Sequence, residues 1–165
     1  MKIGIAGYGF VGQAHESIFK QSHTVIISDP VKEHYGDLRH ADMIIVCVST
    51  PEADNGSCDM SNVLDVLRNA PDVPILIKST ISLEGWNTIQ ELYPDREICF
   101  SPEFLRAASA LQDFKNCNTI LIWGSSDIDS WIPAHFPSCG QATPHDENFE
   151  KKPAYFGIEE GLKQL

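Results

Sequence analysis

The 165-residue chain contains no apolar run approaching the roughly 18 residues that a membrane span needs. Its opening, MKIGIAGYGF, lacks a long apolar core and a cleavage site, so no secretory leader is expected there. Cysteine is sparse and patternless: Cys47, Cys58, Cys99, Cys117 and Cys139 are odd in number, widely spaced and form no CxxC. That suits reduced thiols and a cytoplasmic setting better than a disulfide framework. Positive charge is in deficit, with 12 Lys and Arg against 23 Asp and Glu, for a formal charge of −11. A surface this acidic repels phosphate backbones and anionic lipid, which excludes nucleic acid and membrane as partners held by bulk charge. An anionic small ligand gripped by backbone N–H groups is not excluded. There is no repeat and no low-complexity tract.

What is there reads as one folded domain: 42% of residues are hydrophobic and 21% charged, at a length that buries a real core. Short apolar runs alternate with helical patterns. Residues 2–7, 24–28, 43–48, 74–78, 97–100 and 119–123 read as strands. Residues 11–20, 60–70, 84–92 and 103–115 carry helical periodicity, with Val11, Ala14, Ile18 and Phe19 sharing a side of the first and Asp59 placed to cap the second. The 43–48 run, MIIVCV, is apolar throughout, as in a strand covered on both faces. Parallel strands need helical crossovers, so the expected architecture is a doubly wound, mostly parallel α/β sheet over residues 1–131. Residues 132–165, with Pro133, Pro137 and Pro144 and no clear period, are expected to form an irregular tail, with room for a short helix at 157–164.

Gly7-Tyr8-Gly9-Phe10-Val11-Gly12 matches G-x-G-x-x-G and lies directly after a strand, opening a helix. In a Rossmann-type domain the first glycine permits the tight turn, the second lets the backbone approach a pyrophosphate, and the third lets the helix pack close. Free N–H groups and the positive end of the helix dipole then face the phosphates. Asp29 closes the second strand, where a carboxylate accepts from the adenosine ribose hydroxyls and repels a 2′-phosphate, favouring NAD over NADP. Lys32 nearby weighs slightly against that preference. Tyr8 and Phe10 either shield the cofactor or pack the helix start.

Three more segments end strands, where open α/β sheets bind ligands. Val48-Ser49-Thr50-Pro51 follows the third strand. Lys78-Ser79-Thr80 ends the fourth, where hydroxyls serve either a ligand or the cap of the next helix. Ser101-Pro102-Glu103-Phe104-Leu105-Arg106 follows the fifth, and a Glu just past a strand can act in acid/base chemistry. Arg106 suits either a diphosphate or a solvated helix position.

With the glycine turn, these segments resemble the V-x-T-P, K-S-T and N/S-P-E-F-L-R motifs of the UDP-glucose/GDP-mannose 6-dehydrogenase family, in its N-terminal NAD-binding domain. The resemblance implies an oxidoreductase using NAD on a nucleotide-sugar. It places the Val48–Pro51 loop beside the cofactor, and Ser79 and Thr80 near the cofactor and the reacting centre. Glu103 and Thr80 become the catalytic candidates, while Glu103, Phe104, Leu105 and Arg106 would line the nucleotide-sugar site. The family usually continues with Glu-Gly, where this chain has Ala107-Ala108. The family's second half, with a long central helix and a nucleophilic Cys in a G-x-G-G-x-C-F-P-K-D-like motif, is not matched. By resemblance that Cys carries the thiohemiacetal and thioester of a two-hydride oxidation, so the covalent step needs a second chain supplying the missing domain. Pro137-Ser138-Cys139-Gly140 lacks the motif's flanking residues, and Cys117, His135, Cys139 and His145 fit no zinc spacing, so no metal is expected. Two other readings stay open: a non-catalytic module that binds NAD or a nucleotide-sugar, and a truncated product without activity.

Overall fold

The structure, a computed structural model, describes residues 1–103, 105–116 and 123–124. Its strands are β1 (Lys2–Ala6), β2 (Thr24–Asp29), β3 (His34–Tyr35), β4 (Met43–Val46), β5 (Ile75–Ile77), β6 (Ile98–Phe100) and β7 (Trp123–Gly124). The helices are α1 (Phe10–Phe19), α2 (Ser61–Asn69), α3 (Leu83–Leu92) and α4 (Ala110–Asn116). One sheet holds all seven strands in the order β3-β2-β1-β4-β5-β6-β7. β1, β2, β4, β5 and β6 are parallel, with Ile3 paired to Val25 on one side and Met43 on the other. The chain winds outward through β2, then returns across β1 to β4, which puts the topological switch beside β1.

β4 shows why the sheet is buried on both faces. Its side chains alternate with period two. Ile44 and Val46 pack with Val63, Leu67, Trp86 and Ile89 under α2 and α3. Met43 and Ile45 pack with Ile3 and Phe19 on the opposite face. Ile3, Ile5, Ile44, Ile45, Ile75 and Ile77 are fully buried, each stabilising the fold by roughly 1.5–3 kcal/mol.

The doubly wound, mostly parallel α/β architecture matches the sequence reading, with five local differences. β3, an antiparallel edge pair on β2, was not expected; it follows a 3₁₀ turn and the left-handed Glu33 (φ 59°). β7 pairs antiparallel to β6 and does not continue the parallel series; residues 119–122 lie outside the described residues. The expected 103–115 helix begins only at Ala110, after a 3₁₀ turn at Ala107–Ser109. Asp113 accounts for the delay, because its carboxylate accepts from the Arg106 backbone N–H (3.0 Å) and holds that segment off the helix axis. Asp59 sits one residue before the α2 cap, Met60, yet still accepts the Ser61 N–H at 2.8 Å. On α1 the buried residues are Gly12, Ala14 and His15, so the expected Val11, Ile18 and Phe19 lie only half-buried beside them. The tail at 132–165, with Cys139 and His145, lies outside the described residues, as do Cys117 and His135. Among the described residues no helix is long and apolar enough to cross a membrane.

Candidate functional site

Parallel register carries the ends of five strands to one edge, where they open on a cleft of about 1170 Å³. The order along the cleft follows the sheet. Asp29 ends β2, Gly7 and Gly9 follow β1, Val48 follows β4, Ser79 follows β5 and Glu103 follows β6.

The glycine turn divides three tasks. Gly7 has φ +89°, and a Cβ there would meet the Cys47 carbonyl at 2.6 Å. Gly12 lies against that turn, where a Cβ would come 2.2 Å from the Gly7 oxygen. Gly9 faces open space, with nothing within 4 Å of its Cβ position. Gly9 is also the N-cap of α1, whose first-turn N–H groups have no side-chain cap. That leaves donors and positive dipole facing the cleft, and a recess that any side chain at residue 9 would fill. The fit to a diphosphate is therefore good.

Tyr8 and Phe10 both line the cleft. Tyr8 turns its hydroxyl to Glu16 Oε2 (2.9 Å) and its ring edge-on to His34, so it braces the helix start. Phe10 is nearly half exposed. Asp29 accepts the Tyr8 N–H at 2.7 Å on one oxygen and the Lys32 N–H at 3.2 Å on the other, and so positions the turn itself.

Val48, Ser49 and Thr50 line the opposite wall with Ser79 and Thr80. Two hydroxyls knit these segments together. Ser79 Oγ donates to the Val48 carbonyl (2.8 Å), and Thr50 Oγ1 donates to the Thr80 carbonyl (2.7 Å). Asn62, on α2, adds a bond to the Ser49 carbonyl at 2.9 Å. Val11 and Leu105 also reach the cleft, whereas Gly12, Pro51 and Arg106 do not line it. Arg106 instead forks onto Asp113 at 2.7 and 3.1 Å, and that guanidinium holds the Asp113 carboxyl well below the usual range. Phe104 lies outside the described residues.

At the cleft floor the structure assembles a cluster that the motifs did not foretell. Lys78, only 6% exposed, places Nζ 3.1 Å from Glu103 Oε2 and 3.0 Å from Ser101 Oγ. His15 Nε2 approaches the same carboxylate oxygen at 4.0 Å. His15 Nδ1 lies 2.9 Å from the Val11 carbonyl, which can only accept, so Nδ1 carries the proton. Burial, reinforced by the Lys78 charge, pushes the His15 pKa down to about 3. Helical spacing offered the single hint to His15, and Lys78 stood in a quoted motif without a role. Burial also pushes the Cys47 thiol, at the cleft wall, up to about 12.

Neutral burial of His15 has a pH signature. The unfolded chain takes up this proton near 6.5, the folded chain only near 3. Acid therefore favours unfolding. The stability is complete above about pH 6.5 and declines as pH falls toward 3, by at most about 1.4 kcal/mol per unit. Urea titrations between about pH 7 and pH 5 are expected to show this decline, and His15→Leu to flatten it; equal slopes would contradict the assignment.

A doubly wound sheet with a glycine-rich turn, an open helix N-terminus and an acidic residue ending β2 defines a dinucleotide-binding domain. The sequence model of the "UDP-glucose/GDP-mannose dehydrogenase family, NAD binding domain" matches residues 30–131. The chain belongs to that family, as its NAD-binding domain.

Solved structures agree on the fold. A UDP-glucose dehydrogenase from the archaeon Pyrobaculum islandicum is similar with a TM-score of 0.68 at 18% identity, over 98% of this chain and 48% of that one. GDP-mannose dehydrogenase from Pseudomonas aeruginosa is similar with a TM-score of 0.71 at 16% identity, over 99% of this chain and 50% of that one. The chain thus spans about half the length of these proteins. A local likeness of another kind is also present. Endo-1,4-beta-xylanase D of Talaromyces funiculosus is 40% identical over 63 residues, 38% of this chain and 16% of that protein. A match this short does not carry that enzyme's fold or activity to this chain.

Proposed function

We propose that the chain is the cofactor-holding half of a nucleotide-sugar dehydrogenase of the UDP-glucose type, working in the cytoplasm. The observation that carries this is the recess at Gly9, bordered by uncapped N–H groups of α1 and flanked by Asp29. The amides of the turn would hold the NAD diphosphate, and Asp29 the adenosine ribose. The order of strand ends supports a path in which the nicotinamide half would run along Val48–Thr50 and Ser79–Thr80 toward Glu103. When bound, NAD supplies the hydride acceptor for oxidation of an alcohol carbon.

Around it, the chain's own groups have separable tasks. Ser79 and Thr50 spend their hydroxyl protons on the rim carbonyls, which fixes the wall that the ring would lie against. Glu103, at 13% side-chain exposure, is the carboxylate nearest the reacting end, placed to accept a proton or orient a water. Leu105 reaches the cleft beside Glu103, on the side where family likeness would put the sugar-nucleotide. Among the described residues the cleft offers no activated thiol, since burial keeps Cys47 protonated. The acyl-transfer stage therefore falls to residues that this cleft does not provide, and a partner chain is one source of them.

The test is calorimetric titration of the chain with NAD. Asp29→Ala is expected to weaken binding by about tenfold or more and to narrow the preference over NADP, while Asp29→Asn, which can still accept the Tyr8 N–H, loses less. Equal affinity in wild type and Asp29→Ala would remove the ribose role. No measurable NAD binding by the wild type would overturn the proposed function.

A further inference from the structure

Two opposite charges face each other at the far end of the cleft from Asp29. Lys78 and Glu103 both line it, 3.1 Å apart. Among the described residues, the groups packed around them add no net charge. From α1, His15 is buried and neutral; just past β4, Cys47 is a half-buried thiol held protonated; just past β6, Ser101 Oγ accepts from Lys78 Nζ. The pair is thus the local electrostatic source among the described residues at this end. On the reading proposed above, the nicotinamide ring lies beside it.

The ring is the part of the cofactor whose charge changes with redox state, cationic in NAD⁺ and neutral in NADH. A lone carboxylate there would favour the oxidised form, and a lone ammonium the reduced form. We propose that the Lys78–Glu103 pair sets the oxidation-state preference of the cofactor site, each charge cancelling the pull of the other on the nicotinamide ring. Lys78 is a positioning residue in this arrangement: it fixes the Glu103 carboxylate from below and hides the bare charge. Ser101, buried at the end of β6, holds the ammonium in place.

The experiment compares NAD⁺ and NADH affinities of the full chain by calorimetry, read as the ratio of the two dissociation constants. Removing the cation in Lys78→Met is expected to shift the ratio toward NAD⁺ by about tenfold, and Glu103→Gln to shift it toward NADH by a similar factor. The double variant is expected to return close to the wild-type ratio, a reversal that loss of packing alone does not produce. If Lys78→Met does not fold, Glu103→Gln, which keeps the side chain's shape, decides the question. Binding of both cofactors with ratios unchanged in the variants, or shifted in the same direction by both, overturns this proposal and leaves the NAD site standing. Failure of the wild type to bind either form overturns both.

Discussion

Gly9→Val is expected to abolish most NAD binding while leaving the fold intact. The backbone at Gly9 has φ −73° and ψ −165°, which any residue adopts, and its Cβ position meets no atom within 4 Å. Losing glycine at the N-cap costs about 1 kcal/mol, so the melting temperature should fall by only about 2–4 °C. The valine would nonetheless occupy the recess where a diphosphate must approach the amides. A loss of about a hundredfold in affinity is expected by calorimetry. A folded Gly9→Val chain that binds NAD as well as the wild type would show that the phosphates lie elsewhere.

Gly12→Val, three residues on, is expected to do the reverse kind of damage. Here a Cβ meets the Gly7 carbonyl oxygen at 2.2 Å and the Ile5 side chain at 3.3 Å. Neither is a flexible tip that can swing aside. α1 must shift off β1, at a cost of about 3 kcal/mol or more, or a drop of about 6–12 °C in melting temperature. Thermal denaturation of the two variants side by side separates the glycine that frames the ligand from the one that frames the fold. Unchanged stability in Gly12→Val would refute the close packing of α1 on the turn.

The contrast also shows what could be read ahead of the structure. The spacing of the glycines, the strand before them and the acid at Asp29 are local signals, and local geometry enforces them. The β4 run was equally legible, because a strand covered by α1 on one side and by α2 and α3 on the other has no place for a polar residue. β3 was not legible, since two residues cannot display a period and its pairing depends on a left-handed turn at Glu33. The segment 105–106 carried helical spacing but is held extended by its bonds to Asp113, a contact seven residues away that outweighs propensity. The glycine turn, the β4 and β5 loops and Glu103 were all marked as site segments. How they share one floor was not, because the meeting of Lys78, Glu103, Ser101 and His15 depends on two strand ends and a helix arriving together. Arg106 carried the right chemistry for a diphosphate, yet its guanidinium is engaged by Asp113 outside the cleft.

Ser79 reaches back to the carbonyl of Val48 while Thr50 reaches forward to that of Thr80, so loops about thirty residues apart are laced in both directions. Anyone diversifying this rim to recruit a different nucleotide should randomise the two loops jointly. A clone altered at Thr50 alone leaves the Thr80 carbonyl to the weaker Cys58 thiol at 3.7 Å, and successive rounds of selection would go to repairing the lacing before any new preference could emerge.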